Sequence, residues 1–294
     1  MKRFQLSFAL ALALLLCTSA FAQSYTFMTV NNPNDTNDPF TQLLGINNSM
    51  VIAGYHNFFN NQGFTLNLPM QFTVENYPNS AMTQVIGINN SLTTSGFYVD
   101  NASVTHGFYH TSNGTYTTVD FTGTAFNQLL SQNDFKQASG YYSLSQNNTT
   151  PDFPYVYDEV GGVFQVITIP GAVGGAQATG INNSQEVCGF FIDSSMVNHG
   201  WLLNFGVFTQ LDYPNSTFTQ ALGLNNKGQV VGTYLDAASL SHGFIYNVSS
   251  GQYTSIDDPN GVGSTVVNGI NDAGDLVGFY GAPPINSGFV ALPQ

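Results

Sequence analysis

Three pairs of an aspartate and a histidine are the residues whose types and spacing most resemble catalytic chemistry. The members of each pair lie six positions apart, and the pairs are Asp100 with His106, Asp193 with His199, and Asp236 with His242. An aspartate that orients a histidine is the usual arrangement of a general base. A catalytic base is needed once, whereas this pair recurs, so the sequence favours a structural role in which the aspartate fastens a hairpin by a hydrogen bond to the histidine.

Other groups that could act in catalysis lack suitable partners in the sequence. No serine or cysteine recurs as a nucleophile beside the pairs, and no Gly-x-Ser-x-Gly elbow occurs. Glu75, Glu159 and Glu186 are not paired by any visible spacing, which disfavours the two carboxylates of a glycosidase. Cys188 follows Val187 in a strand-like stretch and is predicted to be a buried apolar residue rather than a reactive thiol. The sequence therefore favours a protein that is not an enzyme.

Two loops carry oxygen ligands of the kind that calcium takes. One contains Asn34, Asp35, Asn37 and Asp38, and the other contains Asp272, Gly274 and Asp275. Neither stretch fits the calcium loop of about twelve residues that EF-hands use, and clusters of Asn, Asp and Gly are ordinary turn chemistry. We therefore predict no cofactor, with a structural calcium ion as the alternative.

The elements that must position these residues come from an internal repeat. A Gly-Ile-Asn-Asn motif recurs, with small variations, at residues 45–48, 87–90, 131–134, 180–183, 223–226 and 269–272; the third copy is the degenerate Ser-Gln-Asn-Asp. A second glycine follows nine positions after the start of each copy, at Gly54, Gly96, Gly140, Gly189, Gly232 and Gly278. A constant interval indicates two strands in fixed register around a fixed turn. The Asn-Asn pair supplies that turn, because Asn tolerates left-handed backbone angles.

Two more strands complete each repeat. A third strand begins at sequences such as His106-Gly107-Phe108, and a fourth usually ends near a proline, as at Pro78 and Pro214. Four short strands at a period of about 42 to 49 residues are typical of propeller blades. We therefore predict an all-β fold, a six-bladed β-propeller of four-stranded blades.

The two ends of the chain complement one another. Residues 25–30 form a lone fourth strand, whereas the C-terminus supplies only the first three strands of its unit, ending at residues 288–292. Joining the two ends would complete the sixth blade and remove two exposed sheet edges. We predict a ring closed by the N-terminal strand, within a single domain of residues 23–294. An elongated β-solenoid is the alternative.

The first residues and the overall charge predict where the protein acts. Lys2 and Arg3 precede an apolar run that ends at Ala20-Phe21-Ala22, so residues 1–22 are predicted to be a signal peptide and the protein to be secreted, extracellular or periplasmic. No later stretch approaches the length of a membrane span. The 17 acidic residues outnumber four basic ones, a net charge of −13. This charge excludes nucleic acid as a partner, because phosphate recognition needs a positive face.

The repeat resembles the HAF family of probable extracellular repeat proteins, in which a Gly-Ile-Asn-Asn turn, a Val-Val-Gly strand and a His-Ala-Phe strand recur. The fifth unit carries the resemblance best, in Gly-Leu-Asn-Asn-Lys-Gly-Gln-Val-Val-Gly at residues 223–232 and His-Gly-Phe at residues 242–244. Glycine stands at the position of the family's alanine. The resemblance covers nearly the whole chain after the leader. It implies an extracellular, propeller-like protein and no particular activity.

Loop lengths indicate which face of such a propeller would bind a ligand. The turn between the first two strands never changes, whereas the loops between the second and third strands vary in length. These loops and the connections between units lie at the same face, called the variable face below. Variable loops on a rigid scaffold are the usual place for binding. The predicted binding residues on this face are Tyr77, Tyr213, Asp35, Asp38 and Asn147.

The chemistry of this face predicts the class of ligand. Exposed tyrosines with Asn and Gln suit a neutral glycan or a protein partner, although the two tyrosines could instead pack between blades. We predict a secreted, non-catalytic binding or cell-surface interaction module. The alternative is an extracellular hydrolase or lyase that acts on a neutral polymer.

Overall fold

The computed structural model describes residues 24–35, 39–146 and 151–294. The predicted signal peptide and the predicted binding residues Asp38 and Asn147 lie outside these ranges. Within them the chain forms 24 β-strands and no helix, so the predicted all-β class is confirmed. Accordingly, the described part of the chain has no helix with the length and apolar character needed to cross a membrane.

The strands follow the repeat, and each repeat is called a unit. The first strands are β2 (Thr41–Ile46), β6 (Met82–Ile88), β10 (Phe126–Gln132), β14 (Ala176–Ile181), β18 (Phe218–Leu224) and β22 (Thr265–Ile270). The second strands are β3 (Val51–His56), β7 (Thr94–Val99), β11 (Gln137–Ser143), β15 (Val187–Ile192), β19 (Gln229–Leu235) and β23 (Leu276–Ala282). The third strands are β4 (Gln62–Asn67), β8 (Thr105–His110), β12 (Asp152–Asp158), β16 (Asn198–Asn204), β20 (Ser241–Asn247) and β24 (Ile285–Pro293). The fourth strands are β5 (Gln71–Val74), β9 (Tyr116–Val119), β13 (Val163–Val166), β17 (Val207–Leu211), β21 (Gln252–Ile256) and β1 (Tyr25–Val30).

Backbone pairing groups these strands into antiparallel sheets. Units 1, 4 and 5 are separate four-stranded sheets, and units 2 and 3 are joined into one eight-stranded sheet by a single parallel bridge between Thr105 and Phe126. In the remaining sheet, with the order β1-β24-β23-β22, β1 pairs antiparallel with β24. The predicted count of six blades depends on dividing the eight-stranded sheet at its bridge, and it stays a prediction.

The units are arranged side by side around their first strands. Each first strand contacts the first strand of the next unit, and β22 contacts β2. The largest fully buried residues are the aromatic side chains that follow the third-strand glycine or proline, and they are Phe64, Phe108, Tyr155, Trp201, Phe244 and Phe289. The hydrophobic core therefore runs around the molecule with one large ring in each unit.

The second glycine of the repeat is required by this packing. At Gly54 an added Cβ would overlap the carbonyl oxygen of Gln42 on the first strand and the ring of Phe64 on the third strand. The equivalent glycines in the other units meet the same two kinds of neighbour. The glycine recurs at a constant interval because at this position the second strand lies too close to the first strand and to an aromatic ring to carry a side chain.

Candidate functional site

The Asn-Asn turns form a closed circle of hydrogen bonds at the face opposite the variable face. Asn47 Oδ1 accepts from the backbone N–H groups of Ser49 and Val51, which holds its own turn, while Nδ2 donates to the carbonyl oxygen of Asn89 in the next unit. In the same way each equivalent Asn donates to the backbone carbonyl of the next one, in the order Asn89, Asn133, Asn182, Asn225, Asn271 and back to Asn47. The first Asn of the motif therefore joins neighbouring units.

The second residue of each turn forms another circle. The backbone N–H of each of these residues donates to the side-chain oxygen of the next, through Asn48, Asn90, Asp134, Asn183, Asn226, Asp272 and again Asn48. Asp134 also accepts the amides of Asn90 and Asn183, and Asp272 those of Asn226 and Asn48. Desolvation by itself would raise the pKa of Asp272, but the bonds from Asn226 and Asn48 outweigh it and hold that pKa below its usual value.

In the two loops considered for calcium as the alternative, the described carboxylates bond within the protein. Asp272 holds the second circle, and Asp275 Oδ2 accepts from Asn271 Nδ2 at 2.8 Å. Asp35 lies 3.0 Å from His56 Nδ1, and both side chains are more than nine-tenths buried. The predicted role of Asp35 as a binding residue on the variable face would require an exposed side chain, and the structure places it instead in a buried pair. Within the described residues, no group of three or more His, Cys, Asp or Glu could hold a metal ion.

Each histidine of the three predicted pairs lies between two carboxylates. His106 Nε2 is 3.6 Å from Asp100, and its Nδ1 is 2.7 Å from Asp120. His199 has the same relationship to Asp193 and Asp212, and His242 to Asp236 and Asp257. The predicted partner is therefore corrected: the short hydrogen bond of each histidine goes to the second aspartate, at the end of the fourth strand.

The predicted aspartates do fasten their loops, but they do so through the backbone. Asp100 Oδ1 accepts from the N–H groups of Ala102 and Val104, which closes the loop between the second and third strands. The bond from Val104 is the largest cause that lowers the pKa of Asp100, and the same pattern lowers the pKa of Asp193 and of Asp236. A carboxylate already engaged in this way is poorly placed to act as a base.

The second aspartates could not be found from the sequence by looking for a constant spacing to the histidines. His106, His199 and His242 are separated from their close aspartates by 14, 13 and 15 residues respectively. The variation arises because the turn between the third and fourth strands differs in length between units. A search for constant intervals therefore finds Asp100 and misses Asp120.

Tyr77 and Tyr213 occupy equivalent positions in two aromatic stacks. Tyr77 stacks on Tyr98 with 3.7 Å between ring centroids, and Tyr98 stacks on His106 at 5.0 Å. Tyr213 stacks in the same way on Tyr234, at 3.6 Å, in the fifth unit. Both predicted tyrosines are half-buried, and Tyr77 shares a hydrogen bond of 2.7 Å with Thr118. Tyr77 and Tyr213 therefore pack between units, as the alternative in the sequence analysis had it. A role for them in binding a ligand stays a prediction.

A groove of about 280 Å³ opens on the variable face beside Tyr77, between the first and second units. Side chains with amide, hydroxyl and phenol groups dominate its lining, namely Asn60, Asn61, Gln62, Asn76, Tyr77, Asn79, Ser80 and Thr83. No charged residue contributes to the lining. The groove can therefore offer hydrogen bonds in several directions without the cost of an unpaired charge.

An exposed aromatic ring lies in the loop that forms one wall of this groove. Phe59 directly precedes Asn60 and is 85% exposed. Its ring meets that of Phe58 edge-on at 5.1 Å, and Phe58 meets the buried Phe40 at 5.1 Å in the same way. Asn61 steadies the end of the loop by donating to the carbonyl oxygen of Asn57 at 2.8 Å. The sequence Asn-Phe-Phe-Asn-Asn at residues 57–61 was the available signal for this site, and reasoning from loop length missed it because this loop is short.

The comparisons with known proteins bear on the fold. No protein-family model and no curated protein matches the sequence. Among solved structures, the chain is similar to the β-propeller domain of the Trilobed protease from Pyrococcus furiosus, with a TM-score of 0.52 and 9% identity over 86% of this chain and 97% of that one. This chain has the β-propeller fold.

Two further solved structures are similar to this chain, and one of them is a lectin. AofleA from Arthrobotrys oligospora aligns with a TM-score of 0.56 and 11% identity, over 92% of this chain and 88% of that one. The SapL1 lectin, solved with alpha methyl fucoside, aligns with a TM-score of 0.53 and 9% identity, over 87% and 95% of the two chains. At these identities the likeness extends to the fold alone.

Proposed function

We propose that this chain is a secreted, non-catalytic binding module of the HAF type, and that its ligand is a neutral glycan held in the groove between the first and second units. The observation that carries the proposal is the exposed ring of Phe59 beside a groove lined by uncharged Asn, Ser and Tyr side chains. In the same proposal the propeller has six blades and is closed by β1.

The six-bladed closure is supported by the turns and by the chain ends. The circle of amide hydrogen bonds passes through one Asn of every unit and returns to Asn47 from Asn271. The register of β1 on β24 runs from Tyr25 opposite Pro293 to Val30 opposite Gly288. A closed ring explains both features, because it gives every unit two neighbours and leaves no unit with an uncovered first strand.

The chemistry of the groove fits a sugar. A sugar ring offers an apolar face of C–H groups, which packs on an aromatic ring, and hydroxyl groups at its edge, which both donate and accept hydrogen bonds. Asn side chains match this edge because each has a donor and an acceptor. The net charge of −13 favours a neutral ligand over an acidic one.

The carboxylates of the variable face support a binding role over a hydrolytic one. A hydrolase would need two carboxylates at a suitable separation with free lone pairs. Asp100, Asp193 and Asp236 each accept two backbone hydrogen bonds and face a histidine. Among similar folds, the SapL1 structure contains alpha methyl fucoside and the Aleuria aurantia lectin structure contains Fucalpha1-6GlcNAc, which makes sugars a reasonable first class to test.

The test is a screen of the chain from residue 23 to residue 294 on an array of neutral and acidic glycans, followed by titration calorimetry with the best neutral ligand. Replacing Phe59 by alanine should weaken binding at least about fivefold, since stacking on one aromatic ring contributes about 1 kcal/mol beyond the area that it buries. Phe205 is 84% exposed in a turn at the opposite face, so Phe205→Ala is the matched control and should bind as the parent does. Absence of neutral glycan binding, or equal affinities for the parent and Phe59→Ala, would overturn the proposal.

A further inference from the structure

A second cavity lies inside the ring formed by the first strands of the units. Its volume is about 400 Å³, and residues from all six first strands line it. This size falls within the usual range of small-molecule sites, about 300 to 1,000 Å³. None of its lining residues belongs to the groove beside Phe59, so the two sites are separate.

A β-bulge repeated in every unit builds the middle of this cavity. Each first strand shifts register by one residue just before its motif glycine, for instance between Leu43 and Gly45. The extra residues are Leu44, Ile86, Leu130, Thr179, Leu222 and Asn268, and every one of them lines the cavity. A bulge re-aims a side chain away from the regular alternation of the strand. Here it supplies an extra layer of mostly apolar side chains around the axis.

The two ends of the cavity are polar and differ from one another. At one end lies the circle of turn residues that includes Asn48 and Asp134. At the other end lie Gln84, Gln128 and Gln177, with Phe97 and Phe190. Gln84 is the cross-strand partner of Phe97, and Gln177 that of Phe190. Units 2 and 4 therefore each present an amide next to an aromatic ring.

The hydrogen-bonding groups of the lining are already oriented. Gln84 Nε2 donates to Asn61 at 2.8 Å, and Gln177 Nε2 donates to Asp152 at 2.7 Å. Each amide is thus held by its nitrogen, which leaves its carbonyl oxygen as an acceptor for a ligand. Within the apolar layer, Asn268 Oδ1 is buried and has no hydrogen-bond partner in the described protein, and an unsatisfied buried acceptor costs about 1 to 3 kcal/mol.

The cavity lining carries few charges, all of them negative and all at the end formed by the turns. Its charged residues are Asp134 and Asp272. Both carboxylates accept hydrogen bonds from two Asn amides and a backbone N–H in the second circle of the turns. They therefore have little capacity left to attract a cation, while their charge disfavours an anion.

From these observations we infer that the central cavity is a second binding site, which takes a small neutral polyhydroxylated molecule of mono- or disaccharide size. The apolar layer contacts the C–H groups of the ligand. The carbonyl oxygens of Gln84, Gln177 and Asn268 accept from its hydroxyl groups. Phe97 and Phe190 supply flat surfaces at the polar end that holds the glutamines.

Two variants of the full secreted chain test this site. Leu44→Trp fills the apolar layer, and Asn268→Leu places at the sixth position the leucine that the first, third and fifth units carry there, so this variant should fold. Binding of neutral monosaccharides and disaccharides is measured by saturation-transfer NMR and calorimetry, with the corresponding uronic acids as charged probes. We expect at least one neutral sugar to bind with a stoichiometry that Phe59→Ala does not change. Both cavity variants should weaken the binding of that sugar by tenfold or more, which corresponds to a loss of about 1.4 kcal/mol.

The outcomes separate this inference from the proposed glycan groove. Sugar binding that is lost in Phe59→Ala and unchanged in both cavity variants overturns the central site and leaves the groove standing. Absence of binding by every neutral small sugar, or tighter binding of the uronic acids, also overturns it. Loss of binding in Asn268→Leu, with a melting temperature equal to that of the parent, supports it even if Leu44→Trp does not fold.

Discussion

Glu75 of the first unit faces His110 of the second across the seam between them, with 3.0 Å between Oε1 and Nδ1. The position of Glu75 holds a buried apolar residue at the end of the fourth strand in other units, namely Val119, Leu211 and Ile256. Thr94 Oγ1 also donates to Glu75. Three polar side chains therefore replace apolar ones in a single seam, and they satisfy each other only when the first unit packs against the second.

Removing one member of this group should destabilise the protein strongly, and replacing Glu75 and His110 together should not. His110→Leu introduces the residue found at the equivalent position, Leu66, but leaves a buried carboxylate without its partner, and we expect a loss of about 3 kcal/mol. The double variant Glu75→Val with His110→Leu should recover most of that loss. Urea unfolding of the parent, both single variants and the double variant measures the coupling. Additive effects would contradict the pairing.

The hydrogen bonds of the turn amides predict different losses of stability for two neighbouring residues of one motif, Asn89 and Asn90. Asn89→Ala removes two acceptor bonds within the turn and the donor bond to Asn133, all in a buried place, so it should cost about 2 to 3 kcal/mol. Asn90 is exposed, and Asn90→Ala is the matched control with an expected cost of about 1 kcal/mol or less. Thermal unfolding compares the two variants, and equal losses of stability would show that the circle formed by the first Asn of each motif does not hold the units together.

Deletion of residues 23–32 tests closure of the ring. It removes β1, uncovers the edge of β24, and takes away Val30, which is fully buried in the cluster shared with Leu43 and Phe64. We expect a fall of more than about 10 °C in the melting temperature, since several kcal/mol of burial are lost. A synthetic peptide of the same residues, added in trans, should restore part of the loss. An unchanged melting temperature would favour an open array.

Glu159 should make stability depend on pH. Desolvation is the largest cause of its altered pKa, which is raised from 4.5 to about 7, while Lys136 lowers it and Asp158 raises it. Because its pKa in the folded protein lies above the unfolded value, its contribution is present below about pH 4.5 and is lost as the pH rises through 7.

The variant Glu159→Gln keeps an acceptor for Gln132 Nε2, which donates to Glu159 Oε1 in the parent. It should gain about 1 kcal/mol relative to the parent between about pH 5 and pH 8, less than a fully buried group would give because solvent screens the half-exposed carboxyl. Urea unfolding of both proteins at the two pH values measures this difference in the free energy of unfolding. If the free energies of parent and variant changed in parallel with pH, the role of Glu159 would be contradicted.

Cys188 should be unreactive in the folded protein. It is fully buried, and desolvation, the largest cause, raises the pKa of its thiol to about 12, against a smaller opposite effect from Thr179. Labelling with a thiol reagent near pH 8 should therefore be slower by at least about a hundredfold than in concentrated guanidinium chloride, since the thiolate is the reactive form. Rapid labelling under native conditions would show that this strand opens.

Features that depend on local sequence were predictable. The second glycine is required where a strand meets both a neighbouring carbonyl and an aromatic ring, as Gly54 does beside Phe64, so it recurs at a constant interval. The turn at Asn47 closes on its own backbone, and the pairing of β1 with β24 follows from chain ends that complement each other. In the first two cases the partners belong to one short hairpin, so their spacing is visible in the chain. In the third, each end of the chain holds the strand of the repeat that the other end lacks.

Contacts across seams and around the axis were decided by the tertiary structure. The short hydrogen bond of His106 is made to Asp120 and not to Asp100, because a turn of variable length brings the fourth strand back beside the third. The sequence alone determined the repeat, the register of the hairpins and the acidic character of the chain. Only the packed structure determined that Glu75 meets His110, that the exposed Phe59 lies next to the residues of an uncharged groove and that six bulged residues line one cavity. The physical reason is that these contacts join different units or turns of unequal length, whose relative positions are set by the packing of their cores and by no interval along the chain.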